Sequence, residues 1–127
     1  MFNKKEDIHY SKATTIIGAD CQFQGDLKAS GTIRVDGEFK GEIRVDGNIY
    51  IGETAKIEGN IYANNVMVSG EIKGNIEAHQ QLRITSSGSL WGDVNVSSFI
   101  LDENSSFDGN CKMKHDHVKT ETTKDPV

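Results

Sequence analysis

A five-residue motif in which one glycine stands between two apolar residues, Φ-x-Gly-x-Φ (Φ is apolar), occurs six times along this chain. Its glycines lie 16, 18, 15, 18 and 17 residues apart and are Gly25, Gly41, Gly59, Gly74, Gly92 and Gly109. Around each glycine, apolar residues alternate with polar ones, as in a β-strand with one buried face. A strand-type repeat of about 17 residues predicts a β-helix in which each repeat forms one coil of short parallel strands.

The segment from residue 43 to residue 61 shows how one coil is expected to fold. Pairs of apolar residues recur about every six positions, and Asp, Asn and Gly stand between the pairs. These polar and small residues tolerate the left-handed backbone that sharp corners need. We therefore expect a triangular coil with an apolar interior. About six such coils, at ~4.8 Å each, form a rod ~25–30 Å long.

The spacing also bears on the handedness of the helix. Residues 51–57 (IGETAKI) resemble the hexapeptide repeat of left-handed β-helices, a class that includes trimeric acyltransferases and carbonic anhydrases. Left-handed helices of that class have regular six-residue faces, whereas the repeat here varies from 15 to 18 residues. We predict an all-β, single-stranded, right-handed parallel β-helix of triangular cross-section. The hexapeptide-type trimer, acyltransferase-like or carbonic-anhydrase-like and inactive, is the alternative.

The chain is expected to be one domain with two tails. Residues 14–111 form the repeat array, residues 1–13 are a polar and flexible N-terminal tail, and residues 112–127 are a charged, Thr-rich, disordered C-terminal tail. The array holds seven Lys and Arg residues and fourteen Asp and Glu residues, a net charge of −7. A nucleic-acid partner is not expected, because binding its backbone requires a basic surface.

Catalytic chemistry has little support in this sequence. Three of the four histidines lie in the tails, and His79 stands alone at an irregular corner. The His115-Asp-His117 group could supply at most a weak metal site. No nucleophile–base pair and no phosphate-binding glycine loop is found, since the glycines follow the repeat. We expect no enzyme activity, no catalytic residue and no cofactor, nucleotide or metal.

The cysteines and the termini indicate a cytoplasmic protein. Cys21 and Cys111 occupy apolar positions at opposite ends of the array, so we expect two buried thiols with no disulfide between them. No apolar run approaches the ~18 residues of a membrane span. The N-terminus is polar after Met1 and Phe2, which is not the pattern of a secretory signal.

Over about residues 14–111 the sequence resembles the bactofilin family. The resemblance rests on the segments 31–37 (GTIRVDG) and 41–47 (GEIRVDG), within a continuous run of similar repeats. It implies a right-handed, triangular β-helix that polymerises end to end, without nucleotide, into bacterial cytoskeletal filaments of no overall polarity. It also implies attachment to the inner face of the cytoplasmic membrane, and a scaffold role in positioning peptidoglycan-modifying or morphogenetic proteins.

The two ends of the rod are the candidate site that the residues predict independently. The terminal coils of a β-helix expose unpaired backbone groups and an apolar cross-section unless something covers them. Neither tail contains an amphipathic helix that would do so. We predict polymer contacts at both ends, formed by Ile16, Ile17, Phe23, Phe99, Leu101 and Phe107. The alternative is a monomeric adaptor whose tails fold back over the ends.

A second candidate site is the N-terminus, where residues 1–5 (MFNKK) resemble the membrane-targeting tail of many bactofilins. Met1 and Phe2 would insert into the bilayer, and Lys4 and Lys5 would each gain about 1 kcal/mol near anionic lipid. One copy would bind weakly, but a filament would multiply the contacts. The outward aromatic residues Tyr50, Tyr62 and Trp91 are weaker candidates for a lateral or partner contact.

Overall fold

The computed structural model describes residues 15–113. Within that range all regular secondary structure is β-strand, and no helix is present. The thirteen strands are β1 (Thr15–Ile17), β2 (Gln22–Gln24), β3 (Leu27–Val35), β4 (Glu38–Lys40), β5 (Ile43–Ile51), β6 (Lys56–Glu58), β7 (Ile61–Val68), β8 (Glu71–Lys73), β9 (Ile76–Ile84), β10 (Ser89–Trp91), β11 (Val94–Leu101), β12 (Ser106–Asp108) and β13 (Cys111–Met113). All pairings are parallel. The odd-numbered strands form one sheet in sequence order, and the even-numbered strands form a second one. The chain therefore winds as a β-solenoid of about six coils, which confirms the predicted fold class.

Each coil has three faces, which one long strand and one short strand supply together. The long strand β5 covers two of them, because its alternation of buried and exposed residues is interrupted at Gly47 and Asn48. The predicted corner at this point is therefore a bend inside a strand. Side chains hold the bend from coil to coil, since the Asn65 Nδ2 donates to Asn48 Oδ1 at 2.9 Å and to Gln80 Oε1 at 2.8 Å.

Two variable lengths explain the uneven spacing of the motif. The long strand has eight or nine residues, and the connection from it to the next short strand has two or four. Between Gly41 and Gly59, a long strand of nine residues and a connection of four give a spacing of 18 residues. Between Gly59 and Gly74, a long strand of eight residues and a connection of two give a spacing of 15. The four-residue connection 52–55 closes as a tight turn, in which the Ala55 amide donates to the Gly52 carbonyl at 3.0 Å. A long strand of eight residues pairs with one of nine by a register shift of one residue near the bend, between Arg44 and Asn48 on β5 for example, and the pairing stays regular on either side of the shift.

The core consists of inward side chains stacked in columns, one residue per coil. In the column on the short strands, Phe39, Ile57, Ile72 and Leu90 are all fully buried. Burying a side chain of this size contributes about 1.5–3 kcal/mol. Each coil covers the apolar face of the next, so no coil forms this core alone.

The motif glycine stands where stacked coils make their closest backbone approach. The six motif glycines have φ between 134° and 158°, a region that side chains disfavour. A Cβ on Gly59 would overlap the carbonyl oxygen of Gly41 in the preceding coil, and the same relation recurs up to Gly109. Glycine is therefore required at this corner by both conformation and space.

The residue after the motif glycine adds a polar ladder along the same corner. Asn60 Oδ1 accepts from the Asn75 amide at 3.1 Å, and Asn75 Oδ1 accepts from the Asp93 amide at 3.0 Å. Asp93 Oδ1 accepts in turn from the Asn110 amide at 3.2 Å. These bonds satisfy amides at the corner and fix the register of successive coils.

Candidate polymer interface at the two open ends

Each end of the described solenoid presents the core in cross-section, with one side chain from each of five inward columns. At the C-terminal end these are Phe99, Leu101, Phe107, Cys111 and Met113, which we call the C-terminal end face. The segment 98–101 and the strands β12 and β13 form its rim, and in the described residues they pair with strands on one side only. This end therefore combines apolar side chains with free backbone donors and acceptors.

The C-terminal end face contains two aromatic rings and a half-exposed leucine. The rings of Phe99 and Phe107 meet edge to face, with centroids 5.2 Å apart and an interplanar angle of 87°. Leu101 is 49% exposed, whereas Ile84, its partner in the preceding coil, is fully buried. The exposure arises because no further coil follows in the described part of the chain.

The N-terminal end face consists of Thr15, Ile17, Phe23, Leu27 and Ala29. Phe23 stacks on Phe39 of the second coil with centroids 4.7 Å apart, and it is 37% exposed. Ile17 is buried even in this first coil. This face carries smaller and more polar side chains than the C-terminal end face, so it offers less apolar area to a partner.

Five of the six residues predicted for the ends lie in the end faces. The exception is Ile16, which the strand alternation directs outward to the side of the rod beside Arg34, with 64% exposure. Whether any of the six forms a polymer contact stays a prediction. The sequence prediction omitted Cys111, Met113 and Leu27, although aligning each coil on its motif glycine places all three in inward columns.

The prediction of buried cysteines was wrong. Cys21 and Cys111 are both exposed, and both are free thiols. They occupy core-type positions of the repeat, but they lie in the first and last coils, where stacking covers one side only. Cys111 Sγ lies 3.9 Å from Met113 Sδ, and partial burial raises the pKa of the Cys111 thiol. Both cysteines therefore mark the ends of the rod.

The predicted membrane residues Met1, Phe2, Lys4 and Lys5 lie outside the described residues. Within residues 15–113, no helix is long and apolar enough to cross a membrane. In the same range no three His, Cys, Asp or Glu side chains gather in a group that could hold a metal ion. The His115 and His117 pair lies beyond that range.

The three aromatic residues predicted to point outward do so, and each lies under a cation. The Arg34 guanidinium stands 4.9 Å from the Tyr50 ring centroid, and that of Arg44 stands 4.2 Å from Tyr62. Lys73 Nζ lies 5.8 Å from the Trp91 ring, which is 39% exposed on the face formed by the short strands. Tyr50 and Tyr62 are only half-buried. The sides of the rod thus carry outward aromatic rings that are each held by a cation–π contact.

The repeat array matches known proteins of one family. A family model for bactofilins, described as polymer-forming cytoskeletal proteins, matches residues 15–112. Bactofilin BacO of Myxococcus xanthus is 26% identical over 101 residues, which cover 80% of this chain and 80% of BacO. Bactofilin BacP of the same organism is 26% identical over 99 residues, covering 78% of this chain but only 41% of BacP.

Two solved structures of Thermus thermophilus bactofilin share this fold. The cryo-EM reconstruction of its double helical filaments has a TM-score of 0.73 and 26% identity, and covers 76% of this chain and 96% of that one. The crystal structure of a Phe-to-Arg mutant has a TM-score of 0.66 at 26% identity, with coverages of 68% and 97%. Because the family model matches nearly all of the described residues, this chain belongs to the bactofilin family of polymer-forming cytoskeletal proteins.

Proposed function

We propose that this protein is a bacterial cytoskeletal scaffold that assembles end to end into filaments without a nucleotide. The observation that carries the proposal is the pair of open ends, where core columns terminate in Phe23, Leu101 and Phe107 without a covering coil in the described chain. Stacking a second copy would bury these side chains and pair the edge strands by strand addition. Burial of apolar area supplies the driving force, so assembly needs no hydrolysis step.

Like ends are proposed to meet. A junction of two identical faces is two-fold symmetric, and alternating junctions of this kind give a filament without overall polarity. The C-terminal end face carries Phe99, Phe107, Leu101 and Met113, so we infer that its junction is the stronger one. The N-terminal end face, with Thr15 and Ala29, would form the weaker junction.

We also propose that two such filaments pair side by side, and that they attach to the inner face of the cytoplasmic membrane. The double helical filament of the Thermus relative supports lateral pairing. The apolar Met1 and Phe2 beside Lys4 and Lys5 support membrane attachment, and repetition along a filament raises the avidity. Acidic residues Glu6 and Asp7 weaken the attraction of one copy. A membrane-bound filament would position cell-wall or morphogenesis proteins and would not itself be an enzyme.

Negative-stain electron microscopy of the purified protein in buffer without nucleotide tests the assembly. We expect thin filaments that need no added factor. Discrete particles of trimer size would instead indicate a closed assembly of the hexapeptide type, and monomers would indicate ends covered by the tails.

Flotation with liposomes on a density gradient tests the membrane proposal separately, because filaments pellet with or without vesicles. Deleting residues 1–12 should leave filaments intact and abolish flotation with anionic vesicles. Neutral vesicles serve as the matched control for the lysine contribution. Unchanged flotation of the shortened protein would overturn the assignment of the N-terminal segment.

A further inference from the structure

One side of the rod carries an alternating pattern of charge. It is formed by the short strands, whose first and third residues point outward while the second enters the core. On three successive strands the outward charges alternate in sign both along the strand and from coil to coil. We call this the charge-alternating face, and its members are Glu38, Lys40, Lys56, Glu58, Glu71 and Lys73.

The six charged side chains of this face are free to interact with another molecule. All six side chains are exposed, and none of them forms a salt bridge in the described part of the chain. Unlike charges do stand opposite each other on neighbouring strands, as Glu38 does to Lys56. That arrangement gives some favourable cross-strand attraction, but it leaves the outer side of every charge open to solvent.

The pattern is complementary to a second copy of itself. When two such faces meet about a two-fold axis parallel to the rod, the first residue of each strand meets the third residue of the same strand in the other copy. Glu38 then faces Lys40, and the strands β6 and β8 likewise each bring a lysine opposite a glutamate. On β10 the same operation sets the large Trp91 against the small Ser89. The four rows from β4 to β10 are therefore matched in sign or in size.

The charge of the whole rod favours a second copy at this face over other faces. Residues 14–111 carry a net charge of −7, so two copies repel each other over most of their surface. The charge-alternating face carries three lysines and three glutamates and is neutral. It also borders an exposed tryptophan, which is a residue type that anchors protein interfaces. The sum of these features points to self-association, since anionic lipid would require a net positive face.

We propose that the charge-alternating face is the surface through which two filaments of this protein pair side by side. This inference rests on the proposed end-to-end assembly and names the contact between the assembled filaments. Each ion pair between two rods is weak, because it is exposed to solvent. The same pairs repeat in every subunit, so two filaments should pair strongly although two single subunits do not.

Charge-reversal variants test the face, with filament mass per length measured by electron microscopy. Three variants are needed: an acidic face (Lys40→Glu, Lys56→Glu, Lys73→Glu), a basic face (Glu38→Lys, Glu58→Lys, Glu71→Lys) and a swapped face with all six changes. The acidic and basic variants alone should form single filaments with half the wild-type mass per length. An equal mixture of their preformed filaments should restore the full value. The swapped variant keeps the alternation, and should pair as the wild type does.

The basic variant separates the proposed contact from a general effect of net charge. It lowers the overall negative charge, so a non-specific effect would strengthen pairing, whereas the proposed contact requires pairing to be lost. Paired filaments in both the acidic and the basic variant would overturn the proposal, as would unpaired filaments of the swapped variant. Circular dichroism confirms that each variant is folded.

Wild-type protein provides a test that depends on no variant. Raising the ionic strength from about 0.15 M to 1 M shortens the Debye length from ~8 Å to ~3 Å. The net repulsion between rods is already largely screened at the lower value, so the change acts on the close charge pairs. Filaments should separate into single ones over this range while remaining filaments, because the end contacts are apolar. Pairing that is insensitive to salt, or single filaments at about 0.15 M, would overturn the inference. Absence of any filament would instead contradict the proposed function on which it rests.

Discussion

The central and terminal coils of this solenoid have the same kinds of side chain at the same repeat positions, yet their environments differ. Leu101 continues the column of Ile84, and Phe23 continues that of Phe39; the inner member of each pair is fully buried and the outer one is substantially exposed. Within residues 15–113, the difference arises because the terminal coils have a neighbouring coil on one side only, and not because the type of residue changes. In this range the ends therefore expose core positions, whereas the sides of the rod expose positions that point outward in every coil.

The largest difference between the two regions should appear when a charge is placed at two heights of one column, the one that contains Ile84 and Leu101. Ile84→Asp buries a carboxylate between two coils, and should cost about 4 kcal/mol or more, enough to unfold much of the protein. Leu101→Asp leaves its carboxylate in contact with water, and should cost about 1 kcal/mol. Urea unfolding of dilute, non-polymerised protein measures both. Equal losses would show that the end is not an open cross-section.

The motif glycines provide a smaller contrast of the same kind. Gly59 and Gly25 have similar φ values of 144° and 134°, so alanine pays the conformational cost at both, about 1 kcal/mol. At Gly59 the new Cβ also overlaps the Gly41 carbonyl, while at Gly25 it meets only the Phe23 ring at 3.7 Å. Thermal unfolding should show a clearly larger loss for Gly59→Ala. Similar losses would mean that backbone conformation alone selects these glycines.

Blocking one end at a time should reveal which ends meet. Phe107→Arg and Phe23→Arg each place a charge in one end face and should each remain folded. If like ends join, each variant stops at a dimer held by its intact face, and the dimer of Phe23→Arg should be the tighter one. Analytical ultracentrifugation measures the species. Monomers for each variant alone, with dimers only in the mixture, would show head-to-tail joining and contradict the proposed symmetry.

The smallest expected effect concerns the thiols at the two ends. Partial burial raises the pKa of Cys111, so this thiol stays neutral to higher pH, and its labelling rate should rise at a more alkaline pH than that of an ordinary thiol. In filaments, Cys111 should be labelled more slowly than in Phe107→Arg, and Cys21 more slowly than in Phe23→Arg, because each variant leaves that end uncovered. Mass spectrometry after timed alkylation measures both rates. Filaments that leave both thiols fully reactive would place the junctions elsewhere.

Much of the fold was predictable from the sequence because the repeat reports stacking directly. The alternation around Phe39, Ile57 and Ile72 identified the core, and the motif glycine identified the corner. Coil length was harder to interpret, because the distance between motif glycines changes both with the length of the long strand and with the length of the connection after it. The spacing therefore predicted the number of coils but not where each strand begins and ends.

The candidate site was less predictable, because exposure depends on which coil is last. Cys21 and Cys111 have the sequence context of core residues, and only their position in terminal coils exposes them. Ile16 belongs to the outward side of β1, which becomes evident once its pairing with β3 sets the phase. The charge-alternating face was present in the motif as EFKG, KIEG and EIKG, but its meaning depends on stacking those segments in register.

The most direct test of end-to-end assembly compares two arginine substitutions in the same terminal strand region. Phe107 points into the C-terminal end face, where it is partly buried, whereas Ile100 is an apolar residue of the same coil that points to the side and is 37% exposed. Electron microscopy and pelleting, without nucleotide, should show filaments for wild-type protein and Ile100→Arg but only short, soluble species for folded Phe107→Arg. Persistent filaments of Phe107→Arg would contradict the claim that the open core end is the polymer contact.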